Sequence, residues 1–111
     1  MLVAERMNWG ETQYIDRIEM LDTGELFLGI ANKGDADYQY VYREAAGVYW
    51  DPSLNGFKST QLKEWTSLQW FLHMVEIIRQ GVGVRLLLLD TVQWRGISDL
   101  EKAAIEGARQ C

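Results

Sequence analysis

Between Thr66 and Asp90 the sequence leaves the chain few choices of fold. Thr66 and Gln69 have the spacing of a capping box, which satisfies two backbone donors at a helix start, and Trp65 precedes the cap where it can staple onto Trp70. At about 100° per residue, Gln69, His73, Glu76 and Gln80 fall on one polar arc. Leu68, Trp70, Phe71, Leu72, Met74, Val75, Ile77 and Ile78 fill most of the remaining circle. That apolar arc spans roughly 220°, about twice the stripe with which a surface helix faces one sheet. Gly81 and Gly83 supply the left-handed backbone freedom that ends a helix. The run Val84 to Asp90 that follows is too short for a second helix and apolar on both alternations, the pattern of a strand buried on both faces.

The rest of the chain reads as a sheet. Residues 1–10 lack a period and form an arm anchored by Trp9. Tyr14 to Leu21 alternates roughly, Asp22-Thr23-Gly24-Glu25 is turn chemistry, and Leu26 to Ala31 resumes as a second strand, which makes a hairpin. After the turn Asn32 to Asp35, the segment 38–43 alternates strictly and puts Tyr38, Tyr40 and Tyr42 on one strand face. Val48 to Trp50 is followed by the only proline and an Asn-Gly pair, then by a short edge strand at 57–60. Ser98 and Glu101 form a second capping box, opening a terminal helix with Leu100, Ala103, Ala104, Gly107 and Ala108 on one stripe. The expected fold over 1–111 is a single α+β domain. An antiparallel meander leads into a helix, the leucine-rich strand and a C-terminal helix, with both helices on one sheet face.

Charge and composition narrow the function. The 111 residues carry a formal net charge of −5, and residues 1–65 hold 11 acids against 6 bases. An acidic chain without a Lys/Arg cluster is a poor match for nucleic acid. The longest run of large aliphatic residues is four leucines, far short of the roughly 20 residues of a membrane span, and no secretory leader is visible. With the single Cys111 excluding an internal disulfide, a cytoplasmic location is expected. His73 is the only histidine, so no zinc-type ligand set can be built within one chain, and Asn32, Asp35 and Asp37 lack the spacing of a helix–loop–helix calcium loop; no metal or cofactor is expected.

The individual motifs favour structural roles. Asp22-Thr23-Gly24 is similar to the catalytic triplet of aspartic proteases, whose single-motif, retroviral-like members dimerise so that two aspartates share a proton. Glu25 stands where that family has a small residue, and a hairpin turn accounts for the triplet. Gly81-Val82-Gly83 follows a helix, whereas phosphate cradles precede one, so it is a helix cap. Asp90 is the first polar residue after the leucine strand, and Thr91, Gln93 and Trp94 give it a polar and aromatic lip.

Five tryptophans and five tyrosines are many for this length, and such side chains suit interfaces and small-molecule pockets. Tyr38, Tyr40, Tyr42, Trp50, Asp90 and Trp94 are the candidate ligand or partner contacts. Trp70, Met74 and Ile77, left over on the wide helix arc, are the candidate oligomer interface. In size, acidity, aromatic content and lack of recognisable motifs, the chain resembles the orphan proteins carried by mobile integron gene cassettes. That resemblance implies an accessory, non-essential role and no particular activity. The expected function is a self-associating binding or interaction domain, with a homodimer favoured. Two alternatives stand beside it: a small-ligand-binding protein or small enzyme with an aromatic-lined pocket using Asp90, and an acidic inhibitor or immunity-type partner of a basic protein.

Overall fold

The computed structural model describes residues 11–41, 47–60 and 66–108. The arm 1–10, Tyr42, Trp65 and Cys111 lie outside the described residues. Strands β1 (Glu11–Met20) and β2 (Leu26–Ile30) form the expected hairpin. Gly24 takes a φ of 91° in its turn and donates its N–H to the Leu21 carbonyl. A second hairpin joins β3 (Val48–Asp51) to β4 (Gly56–Ser59). Asn55 shapes it with a φ of 57°, and its side-chain amide donates to the carbonyls of Ile30 and Asn32 while its oxygen accepts from Gly34 N–H. Helix α1 (Ser67–Val82), strand β5 (Val84–Arg95) and helix α2 (Asp99–Ala108) complete the described chain.

Local signals are realised closely in the helices. Thr66 and Gln69 make both bonds of the capping box, and Gly83 ends α1 at a φ of 72°. Ser98 and Glu101 likewise exchange bonds at the start of α2. The stripe expected on α2 is not the one that packs. Ile105 is its fully buried residue, whereas Leu100 is 82% exposed.

The fold is α+β, with strand order β3-β4-β2-β1-β5. It departs from a plain meander twice. The chain passes from β2 to the far edge at β3 and returns through β4, so the strand expected at an edge lies inside the sheet. β5 then pairs parallel to β1, which only a crossover connection allows, and α1 is that crossover.

Two expectations for the strands are corrected. Tyr38 and Tyr40 sit not on a strand but in a 3₁₀ turn, Ala36–Tyr40. Asp35 caps that turn by accepting from Asp37 N–H at 3.0 Å, a local bond that competes with extended pairing. Nor is the leucine strand buried on both faces. Among the described residues β5 lies at an edge of the sheet; Val84, Leu86 and Leu88 are buried under the helices, and Leu87 and Leu89 are only half-buried on the opposite face.

Trp70, Phe71, Met74 and Ile78 of α1 enter the core with Ile15, Ile18, Leu28, Phe57 and Leu86. The oligomer interface expected at Trp70, Met74 and Ile77 is corrected by this packing: Trp70 is 5% exposed, Met74 is fully buried and Ile77 is half-buried against the core. The wide apolar arc is covered from several sides within one chain. Tyr38 and Val41 from the 3₁₀ region and Ile105 from α2 join the sheet in the same core. Leu72 is the large α1 residue left out, at 44% exposure.

The alternation along β5 has a measurable consequence. Leu88→Ala should cost about 2–5 kcal/mol, because it empties a packed site. Leu87→Ala should cost about 1 kcal/mol or less, because its side chain keeps part of its contact with water. Chemical denaturation of both variants checks this, and equal large losses would mean that the second face is covered.

Candidate functional site

The candidate surface is the sheet face opposite the helices, where the alternation of β1, β2, β3, β4 and β5 places Tyr14, Arg17, Phe27, Tyr49, Lys58 and Leu87. Phe27 is fully buried although it lies on this face. Gly29 and Gly56 account for it, since their missing side chains leave a trough that the ring fills. A Cβ at Gly56 would come within 2.5 Å of both the ring and the Leu28 carbonyl. Above the ring lies the Arg17 guanidinium, 4.8 Å from its centroid, a cation–π arrangement.

On the β3 and β4 side of this face is a charged network. Lys58 Nζ lies 2.9 Å from Asp51 and 4.0 Å from Glu25, and Tyr49 donates its hydroxyl proton to Glu25. Partial burial pushes the Asp51 carboxyl up. The Lys58 ammonium and the backbone N–H groups of Leu54 and Ser53 outweigh that effect and hold it below the usual aspartate range.

On the β1 and β5 side the two strands part. Ile15 faces Leu88, yet Arg17 already faces Gln93, so β5 takes five steps where β1 takes two. Such bulges bend a strand and re-aim its side chains. The separation leaves a cavity of about 370 Å³ lined by Asp16, Arg17, Leu89, Thr91 and Gln93. Arg17 donates one long bond, 3.5 Å, to the Leu54 carbonyl, and its buried Nε–H has no acceptor among the described residues.

The residues expected to form one site are dispersed. Tyr38 is 2% exposed; its hydroxyl accepts from the Gln13 amide at 3.0 Å, and its ring meets Trp50 edge-on with centroids 5.1 Å apart. Those two do come together, with Phe57, as part of the core packing. Beside Trp50 a cavity of about 340 Å³ is lined by Gln39, Tyr49, Trp50 and Thr60. Tyr40 points outward at 45% exposure. Asp90 is exposed within the bulge at the other edge of the sheet, four inter-strand steps or about 19 Å from β3. Trp94 turns to the helix face, half-buried, with Lys102 Nζ 5.8 Å from its ring centroid.

Sequence reading missed the bulge at Asp16, though a signal was present. Ile15 and Ile18 are the buried pair of β1, three apart where an unbroken strand would place them two apart. That slip in the alternation marks the bulge. Among the described residues no three His, Cys, Asp or Glu side chains gather closely enough to hold a metal ion.

The family model of Integron Cassette Protein Hfx_Cass5 matches residues 26–91, which run from β2 into the bulge of β5. Among solved structures, the integron cassette protein Hfx_Cass5 from the mobile metagenome of the North West Arm sewage outfall is 26% identical. The match covers 89% of this chain and 96% of that one, with a TM-score of 0.38. No curated protein matches.

The charged network should appear in the acid limb of stability. Asp51 has a depressed folded-state pKa, so its contribution is present above the unfolded value, about pH 4, and lost as pH falls through the lower folded value. The stability gap between the parent and Asp51→Asn should therefore be constant above about pH 5 and shrink on further acidification. Denaturant titrations across that range check the sign; a gap that widens toward low pH would contradict the assignment.

Proposed function

This chain belongs to the Hfx_Cass5 integron cassette protein family, and from that premise we propose that it is a small accessory binding domain that works as a two-fold homodimer. The observation that carries the reading is the outer edge of β5. No strand among the described residues pairs with it, so its segment Val84 to Leu88 presents a row of backbone donors and acceptors. The bulge at Leu89 to Val92 interrupts that row before the strand resumes at Gln93.

The flank of this edge is also suited to a second copy. A groove of about 500 Å³ runs between α1 and β5, with Leu72, Val75, Glu76, Arg79, Arg85 and Leu87 among its walls. Glu76 and Arg79 lie 2.6 Å apart on the outside of α1. A helix face carrying an acid and a base at this spacing is self-complementary under a two-fold axis, where Glu76 of one copy can meet Arg79 of the other. An isologous contact of this kind is the commonest among homo-oligomers. It would cover Leu72 as it completes the β5 edge.

The cytoplasm is the compartment we propose for this function. No helix among the described residues is long and apolar enough to cross a membrane. One cysteine in 111 residues leaves no internal bridge that depends on an oxidising environment.

Sedimentation at micromolar concentration tests the proposal. The parent chain should run as a species of twice 12.8 kDa that dissociates on dilution. Leu72→Lys should be monomeric and still unfold cooperatively, losing only the stabilisation that association adds, because that side chain is outside the core cluster. Gln69→Lys, on the polar arc, should remain dimeric. A parent monomer at every concentration would overturn the reading.

A further inference from the structure

Joining two copies along β5 does more than cover an edge: we infer that it encloses a chamber between the two α1 helices that binds a small uncharged aliphatic molecule. The inference rests on the homodimer proposed above and goes beyond it, because neither copy completes the site alone. Arg85, Leu86, Leu87 and Leu88 all line the groove of about 500 Å³. Four consecutive strand residues meet one cavity when it runs along the strand's edge, since successive side chains point to opposite faces. The inner edge of β5 is paired with β1, so the groove opens at the outer edge, on the side of α1. A two-fold axis that sets β5 antiparallel to its copy stands perpendicular to the sheet. It leaves both α1 helices on one face and turns the two grooves toward each other.

The chamber so formed is apolar, with its charges already paired. Leu86 and Leu88 make the floor and Phe71, Leu72 and Val75 the walls, each supplied by both copies. Arg85 and Leu87 contribute backbone, their side chains alternating to the opposite sheet face. Glu76 and Arg79, both about half exposed, sit at the mouth and neutralise each other at 2.6 Å, and Gln80 also donates to Glu76. The backbone groups of the edge are taken up by the partner strand. Such a space gives water few hydrogen-bond partners, whereas an aliphatic chain gains from every methylene it buries there. The same walls reject an ionic head, because a buried charge without a partner is costly. Phe71, Leu86 and Leu88 belong to the packed core, which fixes the floor and part of the wall in advance and lowers the ordering cost of binding. Each half, at about 500 Å³, is already within the range of small-molecule pockets before the partner adds its own.

Methyl-resolved nuclear magnetic resonance titration of the full chain tests the inference, at a concentration where sedimentation gives the dimer. The probes are octanol and hexanol, with sodium octanoate as the charged control. Octanol should shift the methyl signals of Leu72, Val75 and Leu86 saturably, with a single molecule bound for each pair of chains. It should bind about tenfold or more tighter than octanoate. Hexanol should bind more weakly than octanol, since it buries less chain. Octanol should also lower the concentration at which the dimer dissociates, as a ligand of the assembled state must. Val75→Phe adds bulk inside the chamber and leaves Leu72, Glu76 and Arg79 in place, so it should weaken octanol by about tenfold or more in a chain that remains dimeric. Should Val75→Phe disturb the dimer, the stoichiometry and the octanoate comparison in the parent decide the matter. A dimer without saturable shifts overturns this inference alone, whereas a parent that sediments as a monomer overturns the dimer reading and this one with it. Undiminished octanol binding by monomeric Leu72→Lys overturns it too, as does octanoate binding equal to that of octanol.

Discussion

β5 runs parallel to β1, and two parallel strands can be joined only by a connection that crosses the sheet. The rest of the architecture depends on that pairing. α1 makes the crossing, so it lies over the middle of the sheet and drives Trp70, Phe71, Met74 and Ile78 into one core with the strands beneath. Because β5 joins at the outside of β1, its other edge has no strand partner among the described residues, and midway along it bulges away from β1 at Leu89 to Val92 before pairing again at Gln93. The candidate dimer edge and the cavity at the bulge are thus products of one pairing: residues 84–88 make the first, the bulge at 89–92 the second.

The two faces of the sheet are stabilised by different physics. Under the helices the side chains are almost wholly apolar and close-packed, and Tyr38 enters there with its hydroxyl bonded to Gln13. On the opposite face Phe27, fully buried, is covered by a charged side chain and has room to sink because Gly29 and Gly56 carry no side chains. A face of this kind stays in contact with water and can present charges in fixed positions, which a closed core cannot.

Signals that act over a few residues were legible in the sequence. Both capping boxes, the Gly83 helix end, the Asp22 to Glu25 turn and the Asn-Gly hairpin depend on neighbours within one turn of chain, and they stand where their residues imply. The α+β class was legible for the same reason. Signals that depend on distant partners were not. The alternation of 38–43 reads as a strand, but the Asp35 to Asp37 bond starts a 3₁₀ turn that the pattern of tyrosines cannot report. The apolar girth of α1 is real, yet periodicity counts apolar residues and not what lies over them; Ile105, Tyr38 and Val41 provide cover from outside the sheet. Four leucines in a row suggest two buried faces, and only the position of β5 at the edge shows that Leu87 and Leu89 need just one half-covered side. Of the candidate site, Trp50 and Asp90 were recognisable as unusual, while the cavity beside Asp16 arises only where β5 swings away from β1.

Amide hydrogen exchange along β5 tests the central claim most directly. In a strand paired on one side only, alternate N–H groups point toward β1 and outward. In the Leu72→Lys variant, the account predicts slow exchange for the inward set over residues 84–88 and fast exchange for the outward set. In the parent chain at concentrations that sustain the dimer, both sets should exchange slowly, with the bulge at 89–92 fast in each. Equal protection of both sets in the variant, or fast outward exchange in the parent at every concentration, would contradict it.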